Sequence, residues 1–310
     1  MEPIKFKPFL KEYIWGGGRM ESLFGYEKGG LANIGEAWVL SAHRNGQSVA
    51  VGGTFSGRTL GDILCLHPDF TGSRAASGSG FPQLIKFIDA RENLSVQVHP
   101  SDEYAHLHEN SPGKTEMWVV LSADPGAFIY LGFDRDITKD EFVRRIGDGT
   151  LIDVLNRVKV QKGDCYLIEA GTIHAIGAGI MVAEIQQNSD VTYRVYDYNR
   201  VGADGQPREL HLQKAADVVN RKKYIPQNIT GEKLAQTPYF TVDHYVVKGE
   251  KVFDVGSESF MAVLCLNGNF TLRDVLGGSV EVKTGDCVFL PAGIGECKMS
   301  GTGEILTSAI

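Results

Sequence analysis

The run Leu94-Ser95-Val96-Gln97-Val98-His99-Pro100 alternates apolar and polar residues. The two-residue period of a β-strand sends Leu94, Val96 and Val98 to one face and Ser95, Gln97 and His99 to the other. A face made of a hydroxyl, an amide and an imidazole serves no packing purpose. In Lys114-Thr115-Glu116-Met117-Trp118 the same period groups Lys114, Glu116 and Trp118. A second imidazole comes from His174, which closes a segment that begins at Gly163-Asp164. There a Gly-Asp turn starts an apolar strand, and the corner at Ala170-Gly171 ends it so that the next side chain points inward. His99, Glu116, His174 and the amide oxygen of Gln97 make a mixed nitrogen and oxygen donor set. Such a set suits a borderline divalent ion such as zinc, with a position left for water or substrate. A lone strand histidine is more often a structural residue, but three concordant strand patterns favour the ligand reading.

Two further strands carry groups of interest. In the run Gly179 to Asp190, Val182, Glu184 and Gln186 share a face, and an inward carboxylate near a metal is a candidate proton carrier. In Tyr193-Arg194-Val195-Tyr196-Asp197-Tyr198, period two groups Arg194 with Tyr196 and Tyr198. An arginine framed by tyrosines is either an anion partner or a solvated strand face, and spacing alone does not choose. His106 and His108 read as an exposed polar turn. His43, His67, His211 and His244 lack a partner pattern, and Cys65, Cys165, Cys265, Cys287 and Cys297 read as reduced residues of apolar strands.

The elements that must hold these groups are mostly strands. Short apolar runs such as EAWVLSA, GAFIYLGF and FMAVLCLNGNF, separated by Gly, Asn and Asp turns, predict an all-β sandwich or barrel. Helical spacing predicts a small insertion over 138–158, opened by Thr138 and Glu141 as a capping box, and a helix near 212–219. The polar stretch after it places a domain boundary near residue 230. This predicts a catalytic domain over 1–230 and a smaller one over 231–310. The segment 163–174 aligns without a gap with 285–296, which puts Glu296 near the position of His174. The repeated pattern resembles the second conserved motif of the cupin superfamily, implying two double-sheet jelly rolls, the second without metal.

With 310 residues, 43% apolar, 22% charged and a formal charge of -7, the chain reads as an ordinary globular protein. The acidic balance argues against nucleic acid and anionic membrane surfaces as partners. The absence of a long apolar run makes a cytoplasmic location the default expectation.

LSVQVHP, KTEMW, AGTIHAI, VAEIQQNSD and YRVYDYNR, with the earlier YIWGG, IGEAWVLSAH and FPQLIKFIDA, resemble type I mannose-6-phosphate isomerase of the short bacterial class. The resemblance runs continuously over residues 8–220 and keeps the motifs in order. It implies one zinc ion per chain on Gln97, His99, Glu116 and His174. It also implies an active-site Arg194 and site lysines at Lys114 and Lys86. The implied reaction interconverts mannose 6-phosphate and fructose 6-phosphate through an enediol, with Glu184 as the candidate base. Lys86, Lys114, Arg194 and Ser95 are the expected phosphate contacts, and Trp15, ahead of Gly16, Gly17 and Gly18, is expected on a rim loop. The chain is expected to act as a monomer or homodimer. Glu169 departs from the family, where proline is expected at the strand corner, and a changed turn there would move His174. A metal-dependent cupin oxygenase and a sugar-phosphate binder without turnover are the alternatives.

Overall fold

A computed structural model describes residues 1–75, 80–201 and 205–310. The chain forms two compact units. One comprises Met1–Lys11, Gly18–Phe87 and Ile229–Ile310, the other Glu12–Gly17 and Ile88–Asn228. The boundary near 229 matches the polar stretch in the sequence, but the division is not the contiguous one predicted over 1–230 and 231–310. The physical reason is strand pairing: Ile4–Lys7 lies antiparallel to Cys287–Leu290, with Ile4 opposite Phe289, so the N-terminal strand belongs to the C-terminal sheet.

In that unit the long strands Thr241–Val255, Gly295–Ala309 and Met261–Asp274 pair side by side. Val263, Cys265, Phe270, Leu272, Val288 and Ile305 fill their core.

The other unit holds the predicted metal strands. One sheet runs in the order Leu155–Lys159, Phe128–Phe133, His174–Ile176, Val96–Val98 and Tyr193–Tyr196. A second contains Cys165–Ile168, Glu116–Ala123 and Ile180–Gln187 as successive neighbours. Trp118, Val120, Ile180 and Val182 from the second sheet share one apolar core with Ile129, Leu131 and Ile176 from the first. The other face of the first sheet is covered by helices. Val96, Val98, Ala175, Tyr193 and Val195 pack there with Phe142, Leu151, Val154, Ala215 and Ala216.

This two-sided burial decides where the polar residues go. With Val96 and Val98 turned to the helices, Gln97 must point between the sheets, and Arg194 follows between Tyr193 and Val195. His174 shares parity with Ile176, Glu116 with Trp118, and Glu184 with Val182. Leu94, expected beside Val96, instead joins the inter-sheet core because it precedes the strand.

The insertion over 138–158 is helical only in its first part. Lys139–Gly147 is a helix whose Thr138 side chain accepts the Glu141 amide hydrogen. A 3₁₀ turn spans Leu151–Val154, and Leu155–Lys159 is a strand paired with Phe128–Phe133. That pairing overrides the helical spacing at its end. Leu212–Val218 is helical as expected. His106 and His108 are exposed but lie on the helix Asp102–Glu109, not in a turn. Cys65 is exposed on the helix Leu60–Leu66, against the reading of all five cysteines as strand residues; the other four lie on strands. Among the described residues no helix is long and apolar enough to cross a membrane.

Candidate metal centre

The corner that delivers His174 can be compared with its repeat. Gly163 and Gly285 take φ of 93° and 91°, values that favour glycine. The Asp164 side chain accepts the Gln161 amide hydrogen at 2.9 Å, as Asp286 does from Lys283 at 2.9 Å. At the far corner Thr172 N–H reaches Glu169 O at 3.0 Å, and Ile294 N–H reaches Pro291 O at 3.1 Å. Glu169 therefore closes the same turn as the proline of the second copy. His174 is fully buried, whereas Glu296 is exposed.

His99, Glu116 and His174 are all buried, and one ligand atom from each lies within 4.8 Å of the others. His99 Nε2 stands 3.4 Å from Glu116 Oε2, and His174 Nε2 stands 3.3 Å from Glu116 Oε1. Each imidazole is held from behind: His99 Nδ1 is 2.8 Å from Val191 O and His174 Nδ1 is 2.8 Å from Thr172 O. A carbonyl only accepts, so both Nδ1 atoms carry hydrogen and both Nε2 lone pairs face Glu116. Burial pushes the pKa of His174 down to about 4, keeping it neutral and able to donate electrons near neutral pH. Two neutral imidazoles oriented by carbonyls and one carboxylate match the donor chemistry and outer support of a zinc site.

Gln97 lies directly opposite His174 in the strand register, and its Nε2 is 3.3 Å from His174 Nε2. Arg194 is the next partner of Gln97 on the other side. Its Nε donates to Ser95 Oγ at 3.2 Å and its Nη1 to Glu209 O at 3.0 Å. Lys114 is buried, donating to Glu116 Oε2 at 2.5 Å and His99 Nε2 at 2.9 Å. Glu184 Oε1 is 3.6 Å from Lys114 Nζ, and Glu184 Oε2 accepts from Trp118 Nε1 at 3.1 Å. Ser95, Gln97, His99, Lys114, Glu116, His174, Glu184 and Arg194 thus share one linked set of contacts.

Three expectations fall outside it. Lys86 is buried in the other unit, where it pairs with Glu36 Oε1 at 3.6 Å. Trp15 is not on a rim: it is 3% exposed, stacked on Tyr13 at 4.8 Å, and packed with Trp118 in the inter-sheet core. The second glycine after it has a packing reason, because a side chain at Gly17 would strike the buried Asp89 carboxylate. Tyr198 does not share a face with Arg194. The strand ends at Tyr196, its register slips after Arg194, and Tyr198 turns left-handed at φ 56°.

Asp197, Arg200 and Arg208 were not singled out by spacing. Arg200 and Arg208 both donate to Asp197. Burial pushes the Asp197 carboxyl up, but the bonds from the two arginines outweigh it and hold it below its ordinary value. Burial, with Arg208 nearby, draws the Arg194 guanidinium below its own. The segment 194–208 is dense in charge, but periodicity does not show that Arg200 and Arg208 meet at Asp197.

Residues 4–117 match the catalytic domain of phosphomannose isomerase type I, and residues 230–310 match the cupin domain of mannose-6-phosphate isomerase. Mannose-6-phosphate isomerase ManA of Bacillus subtilis is 40% identical, over 99% of this chain and 98% of its own length. The chain belongs to the type I phosphomannose isomerase family. It is an enzyme of that family, with a mostly β, cupin-type fold. A crystal structure of the mannose 6-phosphate isomerase from Bacillus subtilis superposes with a TM-score of 0.91 at 34% identity, covering 100% of both chains. A zinc-bound mannose 6-phosphate isomerase shares the fold, with a TM-score of 0.79 at 16% identity over 99% of each chain.

Proposed function

We propose that this isomerase interconverts mannose 6-phosphate and fructose 6-phosphate at a zinc centre held by His99, Glu116 and His174, with the Gln97 amide oxygen as fourth ligand. The observation that carries the reading is the buried triad whose two Nε2 lone pairs converge on one carboxylate. When bound, the ion supplies Lewis acidity toward the substrate's carbonyl and hydroxyl oxygens. Gln97 has its Nε2 turned toward His174, and a half-rotation of the amide presents Oε1 instead.

The chain's own groups cover the remaining steps. Aldose-to-ketose conversion removes the proton on C2, returns one to C1, and moves the hydroxyl proton from O2 to O1. Glu184 carries the carbon-bound proton, its Oε2 held by Trp118 so that the carboxylate keeps one orientation. Arg194 faces the enediolate oxygens, its plane set by Ser95 and Glu209. Lys114, Ser95 and the arginines beside Asp197 supply positive charge and hydrogen bonds for the phosphate.

A coupled isomerase assay on metal-analysed protein tests the proposal. The expected result is turnover of mannose 6-phosphate with about one zinc per chain, and a far lower kcat/KM for mannose, since each charge-assisted contact is worth roughly 1.5 to 3 kcal/mol. Binding without conversion, consumption of oxygen, or equal use of both sugars would overturn it.

A further inference from the structure

The Lys114 ammonium sits within the contacts that a metal ion would make. It donates to His99 Nε2 at 2.9 Å and to Glu116 Oε2 at 2.5 Å, and those two acceptors are 3.4 Å apart. These three separations constrain any ion that binds both atoms. An ion about 2.1 Å from each lies no farther than about 3.3 Å from Nζ, whichever side of the pair it takes. A divalent ion and an ammonium that close, inside a buried pocket, repel strongly. The second imidazole shows the same arrangement in a neutral form, because the Gln97 amide donates to His174 Nε2 at 3.3 Å. Each Nε2 lone pair that would bind metal is thus capped by a hydrogen donor of the chain itself.

We propose that Lys114 is an internal counter-ion which the metal must displace: it neutralises Glu116 and caps His99 until the ion arrives, and metal loading then releases it. This rests on the zinc reading given above. Glu184, whose Oε1 is 3.6 Å from Nζ, is placed to receive the displaced ammonium. Beside Glu184 the ammonium no longer caps the ligand atoms and turns to an anionic substrate only when the site holds metal, so Lys114 joins metal loading to substrate binding.

The test compares wild type with Lys114→Met, Lys114→Leu and Lys114→Arg, each stripped with a chelator and titrated with zinc against a chromophoric competitor. Met and Leu keep bulk and remove the charge, so zinc affinity should rise roughly tenfold or more while the stripped protein melts at a lower temperature. Arg keeps a cation and should bind zinc near the wild-type level. Where a stripped variant fails to stay folded, the rate of zinc transfer from loaded protein to chelator replaces the titration and should fall in Met and Leu. Unchanged or weaker zinc binding in both Met and Leu would overturn the counter-ion role. Zinc binding in wild type that survives His99→Ala would instead overturn the metal site itself, so the two failures are distinguishable.

Discussion

Arg194→Lys separates the geometry of the guanidinium from its charge. The arginine spends Nε on Ser95 at 3.2 Å and one Nη1 hydrogen on Glu209 O at 3.0 Å, which sets its plane and leaves three of its five N–H donors outside these two anchors. A lysine keeps the charge but has neither the planar fork nor the two anchors. Losing one well-placed donor to an oxyanion costs about 2.7 to 4 kcal/mol, so kcat should fall by about 10² to 10³. Zinc content should stay at the wild-type level, because Arg194 contacts Ser95 and not the three metal ligands. Ser95→Ala removes one anchor and should cost about 1 kcal/mol, or roughly fivefold in kcat. The assay is steady-state isomerisation with metal analysis on the same preparations. An Arg194→Lys enzyme with wild-type kcat would refute the reasoning, since charge alone would then suffice.

Replacing His99 or His174 with Ala should remove both metal and turnover, as three protein ligands are the minimum of a catalytic zinc site; full zinc occupancy in the double variant would reject the site. Glu296→Ala should leave zinc content and kcat near wild type, because Glu296 is exposed and lies in the other unit; a large loss of kcat in a folded, zinc-loaded variant would refute this. Native protein at pH 8 should expose one fast-reacting thiol to a disulfide reagent. Cys65 is exposed, while burial pushes Cys165 and Cys297 to about 11 and Cys265 to about 12, and Cys287 is buried too; four or five fast thiols would contradict it. The Asp197 carboxyl sits below its ordinary value, so its stabilising effect is present above the unfolded pKa and is lost as pH falls through the folded one. Asp197→Asn should flatten the acid limb of the stability curve, measured by denaturant unfolding from pH 5 down to pH 2.

How much of this was legible depends on how local the cause is. Strand parity alone turns Gln97 away from Val96 and Val98 and groups Glu116 with Trp118, because alternation is set within a few residues. Parity misplaces Leu94 because it holds only inside a strand, and that strand begins at Val96. Tyr198 failed for the same reason at the other end, where the strand stops at Tyr196. The helical spacing that continued to Val158 lost to a pairing partner far along the chain, Ile129, opposite Val158. Trp15 looked like a rim residue because three glycines follow it. Asp89, whose bulk requires a glycine at position 17, is 72 residues away, and no local pattern reveals it. The joining of the first strand to the C-terminal sheet is non-local in the same sense.

The two copies of the repeat show how little sequence separates a scaffold from a site. Both close the same turns: Gly163 N–H reaches Val120 O at 2.9 Å and Gly285 N–H reaches Cys265 O at 2.9 Å, and the Val120 and Cys265 N–H groups donate back to Asp164 O and Asp286 O. The framework is therefore specified twice by the same Gly-Asp and Ala-Gly corners. What differs is the residue sent past the second corner and the company it meets. His174 arrives opposite Gln97, beside Glu116 and His99, with Thr172 O holding its far nitrogen. Glu296 emerges on a long strand facing Asp254, exposed to solvent. A carboxylate opposite a carboxylate on a wet strand face gathers no ligand set. An imidazole buried between sheets, with its lone pair aimed at a carboxylate, does. The chemistry of this fold is set by which strands bring polar residues to the inside, and the corner motif by itself only builds the barrel.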